Sequence, residues 1–203
     1  MVPVDDTVFG NTVVLIPWDD YRTLGVLSSA LHHAWVMRYA STLETRIRYS
    51  ANDCFNSFPF PGDLEFTKDA RGDILRPRTV SLDAVADLAV GISEFRSRLM
   101  VNSRLGLTKV YGSVHDPSVA DGDIVQLRDR HVELDRATAT AYGWDDIDLK
   151  HGFHETRYGT FFTVSTEARF ELLMRLLELN FMQYAEQTGM ALEQVKKEAQ
   201  SHG

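Results

Sequence analysis

The sequence predicts an α+β fold that is mainly helical. Three observations support this. Four stretches carry apolar residues at three- and four-residue steps, a β-branched run sits near the N-terminus, and an alternating segment spans 153–165. About four longer helices, a small β element or more near the N-terminus and one hairpin account for most of the chain. With 203 residues, 44% of them hydrophobic and 25% charged, the chain is long enough to bury a real core.

Taken in order, TVFGNTVVLIPW (7–18) follows Asp5–Asp6 and contains Pro17, which reads as a strand pair or one buried strand. Few partner strands are available nearby. The sheet is therefore expected to be incomplete and the chain to be the tail of a longer one. Asp19 or Asp20 suits the N-cap of the next helix, where a carboxylate satisfies free N–H groups and faces the positive helix end. Leu24, Leu27, Leu31, Trp35 and Tyr39 form one stripe, so that helix is predicted to run to about Tyr39. His32 and His33 are adjacent on it and cannot converge on one ion.

Ser41 and Thr42 then form a small turn. Arg46, Arg48 and Ser50 alternate with Ile47, Tyr49 and Ala51, giving a strand or extended loop with one basic and one apolar face. Arg38, Arg46 and Arg48 against Glu44 give +2 over residues 38–50, inside a chain of net charge −8. Such a basic island focuses a polyanion. Pairing of the arginines with nearby aspartates is the structural alternative. Asn56 and Phe58–Pro61 read as a packed terminator, and Cys54 as a buried, inert thiol.

Residues 62–80 mix Gly, Pro and alternating charge, as a linker or exposed hairpin does. A helix is predicted from Ser81, with Leu82, Val85, Leu88, Ala89, Ile92, Phe95 and Leu99 inward. LTKVYGSVHDP reads as a turn region stopped by Asp116–Pro117. Asp121 or Asp123 opens a helix whose face is Ile124, Leu127, His131, Leu134, Ala137 and Ala141, with Gly143 as its C-cap. GFHETRYGTFFTVS reads as a hairpin about Tyr158–Gly159. Ser165 or Thr166 caps a last helix with Phe170, Leu173, Met174, Leu177, Asn180 or Phe181, and Tyr184 inward. Residues 189–203 are weakly periodic and expected to fray.

Composition excludes some classes. One cysteine, Cys54, allows no internal disulfide framework, and no segment reads as a signal peptide or membrane span. A soluble cytoplasmic chain with no membrane partner is expected. Residues 1–61 hold four arginines against six acidic residues, so −6 of the −8 lies in the remainder. That acidity argues against an autonomous high-affinity DNA binder.

The segments LSSALHHAW, ST, RIRYS and FNSFPFP, in this order, resemble the end of a target-recognition domain. Such domains belong to DNA adenine methyltransferases of restriction–modification systems, in particular fused type II, MmeI-like enzymes and their TaqI-like relatives. GLTKVYGSVHDP, LRDRHVELDRATATAYGW, DLKHGFHETRYGTFFTVS and ARFELLMRLLELNFMQYAEQ extend the resemblance over roughly residues 9–188. It implies a partial target-recognition domain at 1–61, the linker at 62–80, a helical C-terminal domain at 81–188 and a frayed tail at 189–203. It also implies double-stranded DNA as partner. Arg38, Ser41, Thr42, Arg46, Arg48 and Tyr49 become the candidate DNA-binding residues.

The family's chemistry needs an Asn/Asp/Ser-Pro-Pro-aromatic loop and a glycine-bearing cofactor turn, and the fused enzymes add a PD…(D/E)xK nuclease pattern. None of these is found in the sequence. The chain alone is expected to be inactive, with no catalytic, cofactor-binding or metal residues. S-adenosylmethionine and methyl transfer would belong to a missing N-terminal catalytic region, with or without a fused nuclease. Two other readings stand beside this one. One is a helical protein–protein interaction module acting through the acidic C-terminal face. The other is a metal-dependent hydrolase, should His115, Asp116, His131, Asp135, His151, His154 and Glu155 gather, although none has tight ligand spacing.

Overall fold

The computed structural model describes residues 20–43, 46–61 and 82–201. The expected strand at 7–18 and linker at 62–80 lie outside them. The described residues form seven α-helices, a π-helical turn and two small antiparallel ribbons, an α+β and mainly helical fold as predicted.

Asp20 caps α1 (Tyr21–Ser28), its carboxylate accepting from the Arg22 and Thr23 amides. The predicted single helix to Tyr39 is in fact two. Ser29 is extended (φ −82°, ψ 160°), and α2 begins at Ala30. Ser29 does not cap α2, because its hydroxyl donates to the Val26 carbonyl. The cap comes from α5 (Gly122–Ala141): buried Asp135 accepts from the Ala30 amide at 2.7 Å, 105 residues away in sequence. Its carboxylate also suits the positive end of α2.

Helix α3 (Asp83–Ser103) buries Val85, Ala89, Ile92 and Leu99, within the predicted stripe. Gly25 of α1 lets the two backbones approach closely. A Cβ there would lie 2.6 Å from Val85 Cγ1 and 2.9 Å from the Val85 carbonyl. LTKVYGSVH, predicted as a turn, is helix α4 (Leu107–His115), held by buried Val110 and Val114. Asp116 ends it before Pro117, as predicted. Asp121 caps α5, which buries Ile124, Leu127 and Leu134 and also two charged residues, Arg128 and Asp135.

Strands β3 (Gly152–Thr156) and β4 (Gly159–Thr163) form the predicted hairpin around a two-residue loop, Arg157–Tyr158. Ser165 caps α6 (Thr166–Thr188) by accepting from the Ala168 amide. The predicted α6 stripe is rotated. Ala168, Leu172, Leu176 and Leu179 are buried, with Leu173 and Leu177 packed partly against the core, whereas Phe170 (64%), Met174 and Tyr184 are exposed. Residues 192–201, expected to fray, are helix α7 (Leu192–Ser201), anchored through Val195.

A single hydrophobic cluster joins Val26, Leu31, Trp35 and Phe58 to side chains from α3, α4, α5 and α6. The N-terminal segment is thus built into the helical body. Among the described residues, no helix is long and apolar enough to cross a membrane.

Candidate nucleic-acid interface

The chain leaves α2 through Ala40 and forms β1 (Ser41–Leu43), paired with β2 (Arg46–Arg48). The register sets Ser41 opposite Arg48, Thr42 opposite Ile47 and Leu43 opposite Arg46. Period two places residues 46 and 48 on one side of this ribbon. Ser41 and Arg48 are exposed, and Ile47, on the apolar face, is 37% exposed. Thr42 and Arg46 enter here through backbone pairing alone. Three-residue strands are too short to be stable by themselves. Their position depends on what brackets them.

Arg38 lies on the upstream side, in the last turn of α2, where a cation suits the negative helix end. It is exposed, and its guanidinium sits 5.4 Å from the Tyr39 ring centroid. Among the described residues, neither Arg38 nor Arg48 makes an ion pair with a carboxylate. Among the described residues, the aspartate pairing of the structural alternative is not seen for these two arginines.

Tyr49 lies on the downstream side and points inward. Its hydroxyl lies 3.1 Å from His32 Nε2, and burial pushes its phenol up to about 12. It anchors the ribbon to α2. Ser50 then caps the π-helical turn Ala51–Asn56, accepting from the Asp53 amide, and Cys54 is buried with its thiol pushed up chiefly by burial. Phe58 meets His32 edge-on at 4.6 Å and Phe60 at 5.0 Å. Trp35 donates to Ser57, Asn180 donates to the Ser57 carbonyl at 2.7 Å, and buried Tyr142 donates to the Pro59 carbonyl at 2.8 Å. The FPFP block is the expected packed terminator. Asn56 is not part of it: that side chain is exposed and donates to Asn52.

Beneath the ribbon's anchor lies a cavity of about 370 Å³. His32, His33, His115, His131 and His151 line it together with Tyr49, Tyr111, Asp135, Phe161 and Phe162. Burial drives His32 and His115 down to about 4 and lowers His33 and His131, so these four imidazoles are neutral near pH 7. His131 Nε2 lies 3.0 Å from the Tyr111 hydroxyl, and His151 Nε2 lies 2.9 Å from Asp135 Oδ2. Of the seven residues considered for a metal, His115, His131, Asp135 and His151 do share this cavity. The other three do not: Asp116 bonds Ser118, His154 meets the Lys150 carbonyl and Glu155 accepts from Thr160. Among the described residues, no three His, Cys, Asp or Glu side chains are grouped to hold a metal ion.

The sequence reading missed one cation. Arg157, in the loop of the β3–β4 hairpin, is exposed and donates through Nη2 to the Met37 carbonyl, next to Arg38. No local signal marks it, because the contact spans 120 residues.

Comparison with known proteins adds three findings. Residues 2–62 match the family described as MmeI, target recognition domain. DNA methyltransferase A of Bacillus subtilis (strain 168) is 41% identical over 56 residues, which cover 28% of this chain and 6% of that protein. A solved structure of the Type IIL restriction-modification enzyme MmeI in complex with DNA is similar with a TM-score of 0.48 at 21% identity, covering 81% of this chain and 16% of that one.

Proposed function

We propose, from the match of residues 2–62 to the family described as MmeI, target recognition domain, that this chain reads a DNA sequence for a restriction–modification, adenine-specific methyltransferase. In this reading residues 1–61 supply part of the recognition domain, residues 81–188 brace it, and methyl transfer takes place in a region outside the chain. The small share of the curated relative that is matched, 6% of its length, supports that division. S-adenosylmethionine and the flipped adenine would be held by that other region, so calorimetry of this chain with the cofactor is expected to give no heat of binding.

The observation that carries the proposal is Arg48, an exposed guanidinium with no carboxylate partner among the described residues, on a ribbon pinned from both sides within the segment that matches the family. A free guanidinium offers a planar fork to a phosphate or to the two acceptors of guanine. Arg46 stands two positions before it on the same strand. Ser41 and Thr42 have hydroxyls suited to the sugar–phosphate backbone, which sets register without reading sequence. Arg38 adds charge at the ribbon's root, and Tyr49 holds the ribbon in place from below.

Fluorescence anisotropy with duplex DNA at several salt concentrations tests this. Binding is expected to be weak and to fall steeply with salt. Arg46→Ala with Arg48→Ala should reduce the log–log salt slope by about 1.8, since each phosphate contact contributes about 0.9. Unchanged binding in that double variant would remove the ribbon from the interface.

A further inference from the structure

We propose that the interface is composite, with the loop of the β3–β4 hairpin adding a second backbone-phosphate contact through Arg157, outside the segment that matches the recognition family. This rests on the DNA reading above.

The structure links three exposed arginines through the junction of α2 and the ribbon. Arg157 is bonded to the Met37 carbonyl, and Arg38 is the next residue. Ser41 follows three positions later and is paired with Arg48. Three residues of chain span at most about 10 Å, so Arg157 sits at the root of the ribbon that carries Arg48. None of the three makes an ion pair with a carboxylate among the described residues. In a chain of net charge −8 this is a local positive focus, and it suits one phosphate strand.

Arg157 is also held in place. Its guanidinium lies 4.8 Å from the Tyr158 ring centroid, and the bond to Met37 uses one of its five donors. The loop is pinned by Thr156, whose hydroxyl donates to the Gly159 carbonyl at 2.8 Å and accepts from the Tyr158 amide at 3.1 Å. Gly159 takes φ +112°, which a side chain would resist. At the far end, buried Arg128 lies 4.9 Å from the Phe153 ring centroid and 5.7 Å from that of Phe162. A cation on such a support loses little freedom when it meets a phosphate.

The competing role is structural: Arg157 as a cap for the carbonyl end of α2. The two roles separate by substitution. Arg157→Gln keeps a donor for the Met37 carbonyl and removes the charge. Arg157→Lys keeps the charge and removes the fork. In the anisotropy assay, Arg157→Gln is expected to lower the salt slope by about 0.9 and to weaken binding about eightfold at 0.1 M salt, equally for all duplex sequences. Arg157→Lys should retain the slope. A Gln variant that keeps the slope, while Arg46→Ala with Arg48→Ala lowers it, overturns the hairpin contact and leaves the ribbon intact. If the Gln variant does not fold, a folded Arg157→Met variant decides: a slope lowered by about 0.9 supports the contact, and an unchanged slope overturns it. No DNA binding by the unsubstituted chain overturns both readings together.

Discussion

Substituting Arg128 with methionine should cost this protein a large part of its stability. Arg128 is 7% exposed and has no carboxylate partner among the described residues. Its charge is met by backbone instead. Nε donates to the Val114 carbonyl at 2.8 Å, Nη1 to Val119 at 2.8 Å, and Nη2 to Ser113 at 2.9 Å and Asp116 at 2.8 Å. Ser113, Val114 and Asp116 belong to the last turn and cap of α4, where carbonyls lack helical partners and the helix end is negative. One guanidinium therefore closes α4, ties down the α4–α5 connection and supports the hairpin through Phe153 and Phe162.

The magnitude follows from these contacts. Four bonds from a charged donor, at about 1.5 kcal/mol each, sum to about 6 kcal/mol before other effects are counted. Two effects reduce it. Methionine avoids the cost of burying a cation, and the carbonyls of partly exposed Ser113 and Val119 and exposed Asp116 regain water. The Val114 carbonyl belongs to a residue only 2% exposed and is stranded. A loss of about 3–4 kcal/mol is expected, in line with removing one side of a buried charge network. Urea titration followed by circular dichroism measures it, with the slope m unchanged. For a domain of this size that corresponds to roughly 8–14 °C in Tm. Arg128→Lys, with three donors on a compact ammonium, should recover only part. A loss under about 1 kcal/mol for the methionine variant would refute the reasoning, because the desolvation cost of the guanidinium would then cancel its bonds.

Two other outcomes follow from packing and titration. Alanine normally stabilises a helix relative to glycine by about 1 kcal/mol, yet Gly25→Ala should destabilise by about 1–3 kcal/mol, because the new Cβ meets Val85 side chain and backbone; Val85→Ala should relieve it in part, as the carbonyl contact stays. Acid should also unfold the protein early. His32 and His115 have folded values of about 4 against 6.5 when free, so the stability they contribute is present above pH 6.5 and is lost as pH falls toward 4. For His32, 4% exposed, this is up to about 3 kcal/mol, and the half-buried His115 adds less in the same direction. Urea midpoints should fall between pH 6.5 and 4.5 and flatten in His32→Gln; a flat profile for the unsubstituted chain would contradict the burial argument.

Much of this fold is legible in the sequence wherever a contact is local. Asp20, Asp121 and Ser165 cap helices two or three residues away, and the hairpin turns inside its own alternating segment. The FNSFPFP block is recognisable by its aromatic and proline content. What stays hidden is set at long range. The break at Ser29 depends on Asp135, and α4 depends on Val110, Val114 and a guanidinium from the next helix. On α6, Phe170–Met174–Tyr184 and Ala168–Leu172–Leu176–Leu179 both satisfy helical spacing, so periodicity alone does not choose the buried face. Of the candidate interface, the exposed Arg38, Ser41 and Arg48 are readable from composition and order. The inward turn of Tyr49 is not, because its partner His32 lies 17 residues back on another element.

The division of charge then acquires a mechanical sense. A ribbon of three-residue strands does not hold its shape alone, and here it is fixed by bonds that start in the acidic remainder of the chain. Asn180 reaches the Ser57 carbonyl, Tyr142 reaches the Pro59 carbonyl and Arg157 reaches the Met37 carbonyl. Those helices confer rigidity without adding attraction for phosphate, since they hold most of the negative charge. A polyanion approaching such a body is repelled except along the arginine-bearing edge, so the same acidity that weakens binding also orients it. Under the proposed reading, weak affinity and defined orientation are compatible, because a second region linked to this one and contacting the same duplex would raise overall affinity without any new contact on this chain.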